Sequence, residues 1–266
     1  MKNLQNITSK ELWFLFGLHT PAIIIGFPDP TSGYLADEIV KIRRQARTNL
    51  VKRQLIEQDN NKEWIIIDPI AKWIKAIASP MHTVFLVRND AGTAEFSRSY
   101  NFTSNSIVAL YHQGADQYAI GPVENHKEIH EFLLEPLITT VYCDRSEQPI
   151  VVSEKILTRA KSQIEAGQKA KAKSTLRDSF PTGDQLDRFI QALSNPITRL
   201  SLIAFLRRDR PGSNDTKGFS VIAGDQDIWL LRPTNNELNY VQVSSISKMD
   251  LEHLIPTFLP QLEKSS

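Results

Sequence analysis

Two histidines four residues apart, His126 and His130 in the run His126-Lys127-Glu128-Ile129-His130-Glu131, are the first residues whose types and spacing could do chemistry. On a helix an i, i+4 pair shares one face, the geometry of a two-histidine metal site. A zinc protease would also need a glutamate directly after the first histidine, where Lys127 stands, and no third ligand follows nearby. Helix-surface histidines are the simpler reading, and a metal-dependent enzyme built on His126 and His130 is kept as an alternative. The single cysteine, Cys143, cannot form an internal disulfide and has no zinc-ligand spacing around it. It reads as a small apolar residue after Leu137-Ile138-Thr139-Thr140-Val141-Tyr142 rather than as a nucleophile. No phosphate-binding glycine loop, no nucleophile elbow and no carboxylate pair in an apolar setting occurs. The pattern is that of a non-enzymatic protein needing no cofactor and no metal.

Binding chemistry is better represented. Phe96, Tyr100 and Phe102 alternate among serine, threonine and asparagine in the stretch between Asp90 and Phe102, as aromatic residues do on one face of a β-ribbon. With Arg88 and Asp90 at its base, such a hairpin could anchor a protein interface, or it could turn its rings inward to cover a sheet. A second candidate is basic. Lys155, Arg159, Lys161, Lys169, Lys171, Lys173 and Arg177 face only Glu154 and Glu165 before Asp178. This stretch could meet nucleic acid, lipid phosphate or an acidic protein; it lacks the aromatic residues that stack single-stranded bases. Nucleic-acid binding through 155–177 is carried as the alternative to a protein partner, with Lys169 and Lys173 as contact residues in either case.

These residues need elements to hold them, and the chain supplies a repeated set. Asp68, Ile70, Trp73, Ile74, Ala76, Ile77 and Pro80 match Asp184, Leu186, Phe189, Ile190, Ala192, Leu193 and Pro196 without a gap. In both copies the apolar positions follow the i, i+3, i+4, i+7 rule of a helix with one buried face, begun at Asp68 and Asp184 and ended by proline. Strand-like runs follow: Thr83–Val87 and Leu200–Leu206, then Ile107–Tyr111 and Phe219–Ala223, then Tyr118–Ile120 and Ile228–Leu231. Closing helices are expected over Glu128–Leu134 and Met249–Leu259, and longer preceding ones over Leu35–Ile56 and Ser153–Leu176. An N-terminal helix opens at Thr8 with Glu11 three residues on, the pattern of a capping box. The expectation is an α+β fold of two tandem helix–antiparallel-sheet units with pseudo-two-fold symmetry, residues 1–142 and 143–266, the second opened by a long basic helix.

Length and charge are compatible with this. The chain has 266 residues, 41% hydrophobic and 23% charged, with a formal net charge of +1. That suffices for one large or two ordinary domains, and no global field draws the whole molecule to nucleic acid or an anionic membrane. The apolar run Leu12–Leu18 is interrupted by His19 and Pro21 and lacks a cleavage site, and no stretch reaches membrane-span length. A cytoplasmic location with no membrane partner is expected.

Several of these segments together resemble the EspG family, the cytosolic chaperones of mycobacterial-type type VII secretion. They are Glu11-Leu12-Trp13, the step Leu50-Val51-Lys52-Arg53-Gln54-Leu55-Ile56, the Ile70–Pro80 helix running into a strand, Ile107-Val108-Ala109-Leu110, and Leu133–Leu137 ahead of the second half. Gln54 departs from the pattern by replacing the usual glycine. The resemblance implies a chaperone that binds the tip of a helical secretion substrate, through a protruding strand-loop-strand and part of the C-terminal helices. On this chain those are Arg88–Phe102 and the region Ser153–Leu176.

Overall fold

The computed structural model describes residues 4–19, 24–137, 147–207, 214–234 and 239–260. Cys143, the expected boundary between the two units and most of the turn after Leu206 lie outside them. A ten-stranded antiparallel sheet organises the rest, with helices on both faces; the α+β class read from the sequence is the one observed.

The first half runs β1 (Gln5–Thr8), α1 (Ser9–Gly17), α2 (Ala36–Lys52), the short pair β2 (Ile56–Gln58) and β3 (Trp64–Ile66), α3 (Ile70–Ala78), then β4 (His82–Asp90), β5 (Phe96–Phe102), β6 (Ile107–His112), β7 (Gln117–Val123) and α4 (Lys127–Leu134). The second runs β8 (Ile150–Ser153), α5 (Glu154–Glu165), α6 (Lys169–Leu176), α7 (Gly183–Ser194), β9 (Thr198–Arg207), β10 (Asn214–Ala223), β11 (Ile228–Pro233), β12 (Tyr240–Ile246) and α8 (Lys248–Leu254). The strand order is β1-β7-β6-β5-β4-β9-β10-β11-β12-β8. The two halves meet at β4 and β9, which pair from His82↔Leu206 to Asp90↔Thr198. The sequence offset that relates Trp73 to Phe189 also relates Leu86 to Leu202, and these two stand opposite each other in that ladder.

Alternation along the strands divides the core by face. On the front, Leu86, Tyr100, Phe102, Leu202, Phe219 and their neighbours are covered by α4, α8 and the turn after α8 through Ile129, Phe132, Leu133, Leu251 and Ile255. On the back there are two separate clusters. One packs α1, α2 and α3 on Val108, Leu110, Tyr118 and Ile120; the other packs α5, α6 and α7 on Ile222, Trp229 and Val243.

Local signals explain most element ends. The capping box is present: Glu11 N–H donates to Thr8 Oγ1 at 3.2 Å and Thr8 N–H to Glu11 Oε2 at 2.9 Å. Helices α3 and α7 end just before Pro80 and Pro196, as expected. Their starts differ, because Thr182 rather than Asp184 caps α7 and α3 begins at Ile70. The basic stretch is not one helix. It breaks into α5 and α6 at Gly167, whose φ of +75° suits glycine, with Gln168 N–H donating back to Gln163 O at 2.8 Å. Likewise α2 stops at Lys52, and the segment up to Ile56 turns into β2.

Candidate functional site

The hairpin β4–β5 lies at the middle of the sheet, and most of the residues singled out in it are used to hold it there. Arg88 has little solvent exposure. Its Nη1 donates to Phe132 O at 2.8 Å and to Glu135 Oε2 at 2.9 Å, and its Nε lies 3.0 Å from Asp90 Oδ2. A cation on the final carbonyls of α4 satisfies groups that the helix itself leaves free. Asp90 in turn accepts from Thr198 Oγ1 at 2.7 Å, which ties the hairpin to the second half.

Tyr100 and Phe102 are fully buried under α4. They point inward because they share strand parity with Arg88's partner Phe96 and with the front-face core. In this arrangement they support the hairpin and cannot touch a partner. Tyr100 and Tyr111 both aim their hydroxyls at Glu128, at 3.5 and 2.5 Å. Burial pushes the Tyr100 hydroxyl up to about 12, with Glu128 adding to it against Arg98; burial and the Glu128 hydrogen bond push Tyr111 higher still. The guanidiniums of Arg88 and Arg98 lie 4.5 and 3.8 Å from the centre of the Phe132 ring. Arg98, Tyr111, Glu128, Phe132 and Glu135 were not singled out from the sequence. The nearest available signal was the carboxylate spacing of Glu128, Glu131 and Glu135 along α4 and the turn that follows it.

Phe96 differs. It is 36% exposed at the start of β5, next to the turn 91–95, and lies 5.5 Å from the Arg88 guanidinium. The turn is pinned at its base by Thr93 N–H to Asp90 O at 3.1 Å and by Ala91 N–H to Ile197 O at 2.9 Å. The opposite face of the hairpin, with Phe85, Val87 and Ser97, lines a cleft of about 950 Å³. Ile24, Phe27 and Tyr34 form its other wall. That wall approaches closely because Gly26, at φ +81°, leaves room for Phe85: a Cβ there would stand 2.7 Å from the ring. The turn, Phe96 and this cleft are the accessible parts of the hairpin.

Lys169 and Lys173 are exposed on α6, which packs on the back of the sheet, whereas Arg88, Phe96, Tyr100 and Phe102 face the front. The structure therefore does not bring the two groups onto one face. Lys173 is paired with Asp187 at 2.5 Å. The two histidines have different neighbours: the His126 ring packs edge-on against Phe102 at 5.6 Å, and His130 Nε2 faces Glu252 O at 3.4 Å. Burial holds His126 below the usual histidine range. Among the described residues no three His, Cys, Asp or Glu side chains are grouped to hold a metal, and no helix is long and apolar enough to cross a membrane.

With this geometry in hand the chain can be set beside known structures. The type VII secretion system chaperone EspG5 of Mycobacterium tuberculosis, solved in complex with the PE25-PPE41 dimer, superposes over 99% of this chain and 99% of its own, with a TM-score of 0.63 and 15% identity. The fold is the EspG fold. No family model matches the sequence, and no curated protein matches it by sequence. At such low identity the agreement lies in the packing of elements, and the EspG arrangement here is carried by a sheet shared between the two halves.

Proposed function

We propose that this protein is a non-enzymatic, cytoplasmic chaperone or adaptor that binds a helical protein client, of the kind handled in type VII secretion. The observation that carries the reading is the likeness in fold to a secretion chaperone along the whole of both chains. The β4–β5 hairpin supports it, since a rigid base exposes Phe96 on its front face and opens onto the cleft on its back face, with the turn 91–95 between them. A client would straddle the turn 91–95, touching Phe96 on the front and placing apolar side chains against Phe85 and Val87 in the cleft on the back. Arg88, Asp90, Tyr100 and Phe102 act by holding that surface in shape. Lys169 and Lys173 belong to a separate basic surface that a larger client could reach. We also read the halves 1–142 and 143–266 as copies of one unit, since β4, β5, β6, β7 and β1 run outward from the centre of the sheet in the same order as β9, β10, β11, β12 and β8. On that count Ile107–Tyr111 and Tyr118–Ile120 match β11 and β12, one strand beyond the runs Phe219–Ala223 and Ile228–Leu231 paired with them from the sequence.

Affinity capture from the cytosol of the source organism tests the reading. The wild-type chain should retain a helical protein in stoichiometric amount, and Phe96→Glu should lose it while remaining folded. Retention of nucleic acid instead, released by high salt, would replace this reading with the basic-surface one.

A further inference from the structure

The surface around helix α2 gathers exposed hydrophobic side chains. Eleven large hydrophobic side chains are exposed among the described residues, and five of them, Tyr34, Leu35, Val40, Val51 and Ile65, lie on α2, just before it or on the neighbouring β2–β3 pair. The helix buries Ile42, Ala46 and Leu50 against the first half. Its outward side shows Val40, Arg44, Arg47 and Val51, spaced four, three and four residues apart. That spacing places them in one row along the helix, about 16 Å long. Val40 is 57% exposed and Val51 42%. Arg47 is steadied by the Trp64 ring, 5.4 Å from its guanidinium. Among the described residues no carboxylate pairs with Arg43, Arg44, Arg47 or Lys52, although Lys41 pairs with Asp37 at 3.9 Å.

We propose that this row is a docking site for an acidic amphipathic helix of a partner protein. A row with apolar ends and two cations at its centre is complementary to a helix with aliphatic residues at the ends and two carboxylates between them. The four-three-four spacing is the seam by which two helices pack side by side. The chemistry disfavours an anionic bilayer, because a continuous layer of acidic headgroups would also meet Asp37 and Glu38 in the first turn, whereas a helix can confine its two carboxylates to the positions opposite Arg44 and Arg47 and leave an aliphatic residue against Val40. It also disfavours single-stranded nucleic acid, since the one nearby indole, Trp64, is already covered by Arg47. The row Val40, Arg44, Arg47 and Val51 shares no residue with the hairpin or its cleft, although Tyr34 ahead of α2 lines that cleft, and the row does not rest on the reading given for the hairpin.

The test uses the full chain and a labelled alanine-based peptide bearing Leu-Glu-Glu-Leu at the same spacing, followed by fluorescence anisotropy. Saturable binding is expected, weakened about tenfold in Arg44→Glu/Arg47→Glu through reversal of two charges. Binding to that variant should return with a Leu-Lys-Lys-Leu peptide, which excludes misfolding as the cause. Lys169→Glu/Lys171→Glu and Phe96→Glu should leave it unchanged, so that failure of the hairpin reading is distinguishable from failure of this one. Equal binding of the Glu and Lys peptides to the wild type, or loss through the α6 variant, would overturn the proposal. So would capture by phosphatidylserine vesicles, dependent on Arg44 and Arg47, with no binding of the acidic peptide.

Discussion

The hydroxyls of Tyr100 and Tyr111 converge on the one carboxylate of Glu128 in a layer closed above by Phe132 and two arginines. Their raised pKa values favour the neutral phenols in the folded state. Stability from Tyr100 is therefore fully present below its unfolded value near 10, and it is lost as pH rises through about 12, by on the order of 2–3 kcal/mol. Thermal unfolding followed from pH 8 to pH 12 should show a level midpoint up to about pH 10 and a fall above it. Tyr100→Phe should flatten part of that fall. The alternation of Phe96, Tyr100 and Phe102 was legible in the sequence, but which of them would be covered was not. The cover comes from Phe132, and nothing local in β5 marks the helix that will lie over it. Arg88 shows the same limit: as a cation at the base of a hairpin it looked free, and its partners sit at the end of α4.

Local signals placed elements well where a residue type has one conformational use. Thr8 with Glu11 set the start of α1, and the prolines after α3 and α7 set their ends. Gly167 was an equally local signal that the long basic stretch would break, yet the continuous run of lysines and alanines around it reads as one helix. Between α2 and β2 the chain turns through Gln54 at φ +57°, a left-handed conformation that glycine adopts without cost. The turn has to be tight because Arg53 donates to Glu11 Oε2 at 2.8 Å and Leu55 N–H to Leu50 O at 3.0 Å. This accounts physically for the glycine expected at that step from the family resemblance. Gln54→Gly should relieve about 1 kcal/mol of strain, partly offset by a more flexible unfolded chain. A net gain of about 0.5 kcal/mol in denaturant unfolding is the expected outcome.

Across the whole molecule, order of elements was easier to read than their joining. Helix, strands and closing helix were visible twice in the sequence, with three strand-like runs in each half, whereas the outer strands β1, β8 and β12 were not. The union of the two halves into one sheet depends on β4 pairing with β9, a contact between segments more than a hundred residues apart that no local pattern announces. The same pairing sets the hairpin turn beside the end of α7, through Ala91 and Ile197, and so braces the surface proposed to meet a client. Hydrogen–deuterium exchange on the full chain, alone and with its captured helical partner, tests that claim most directly. The account predicts slowed exchange at residues 91–96 and along Phe85–Val87 when the partner is bound. Protection confined to α5 and α6, with the hairpin unchanged, would contradict it.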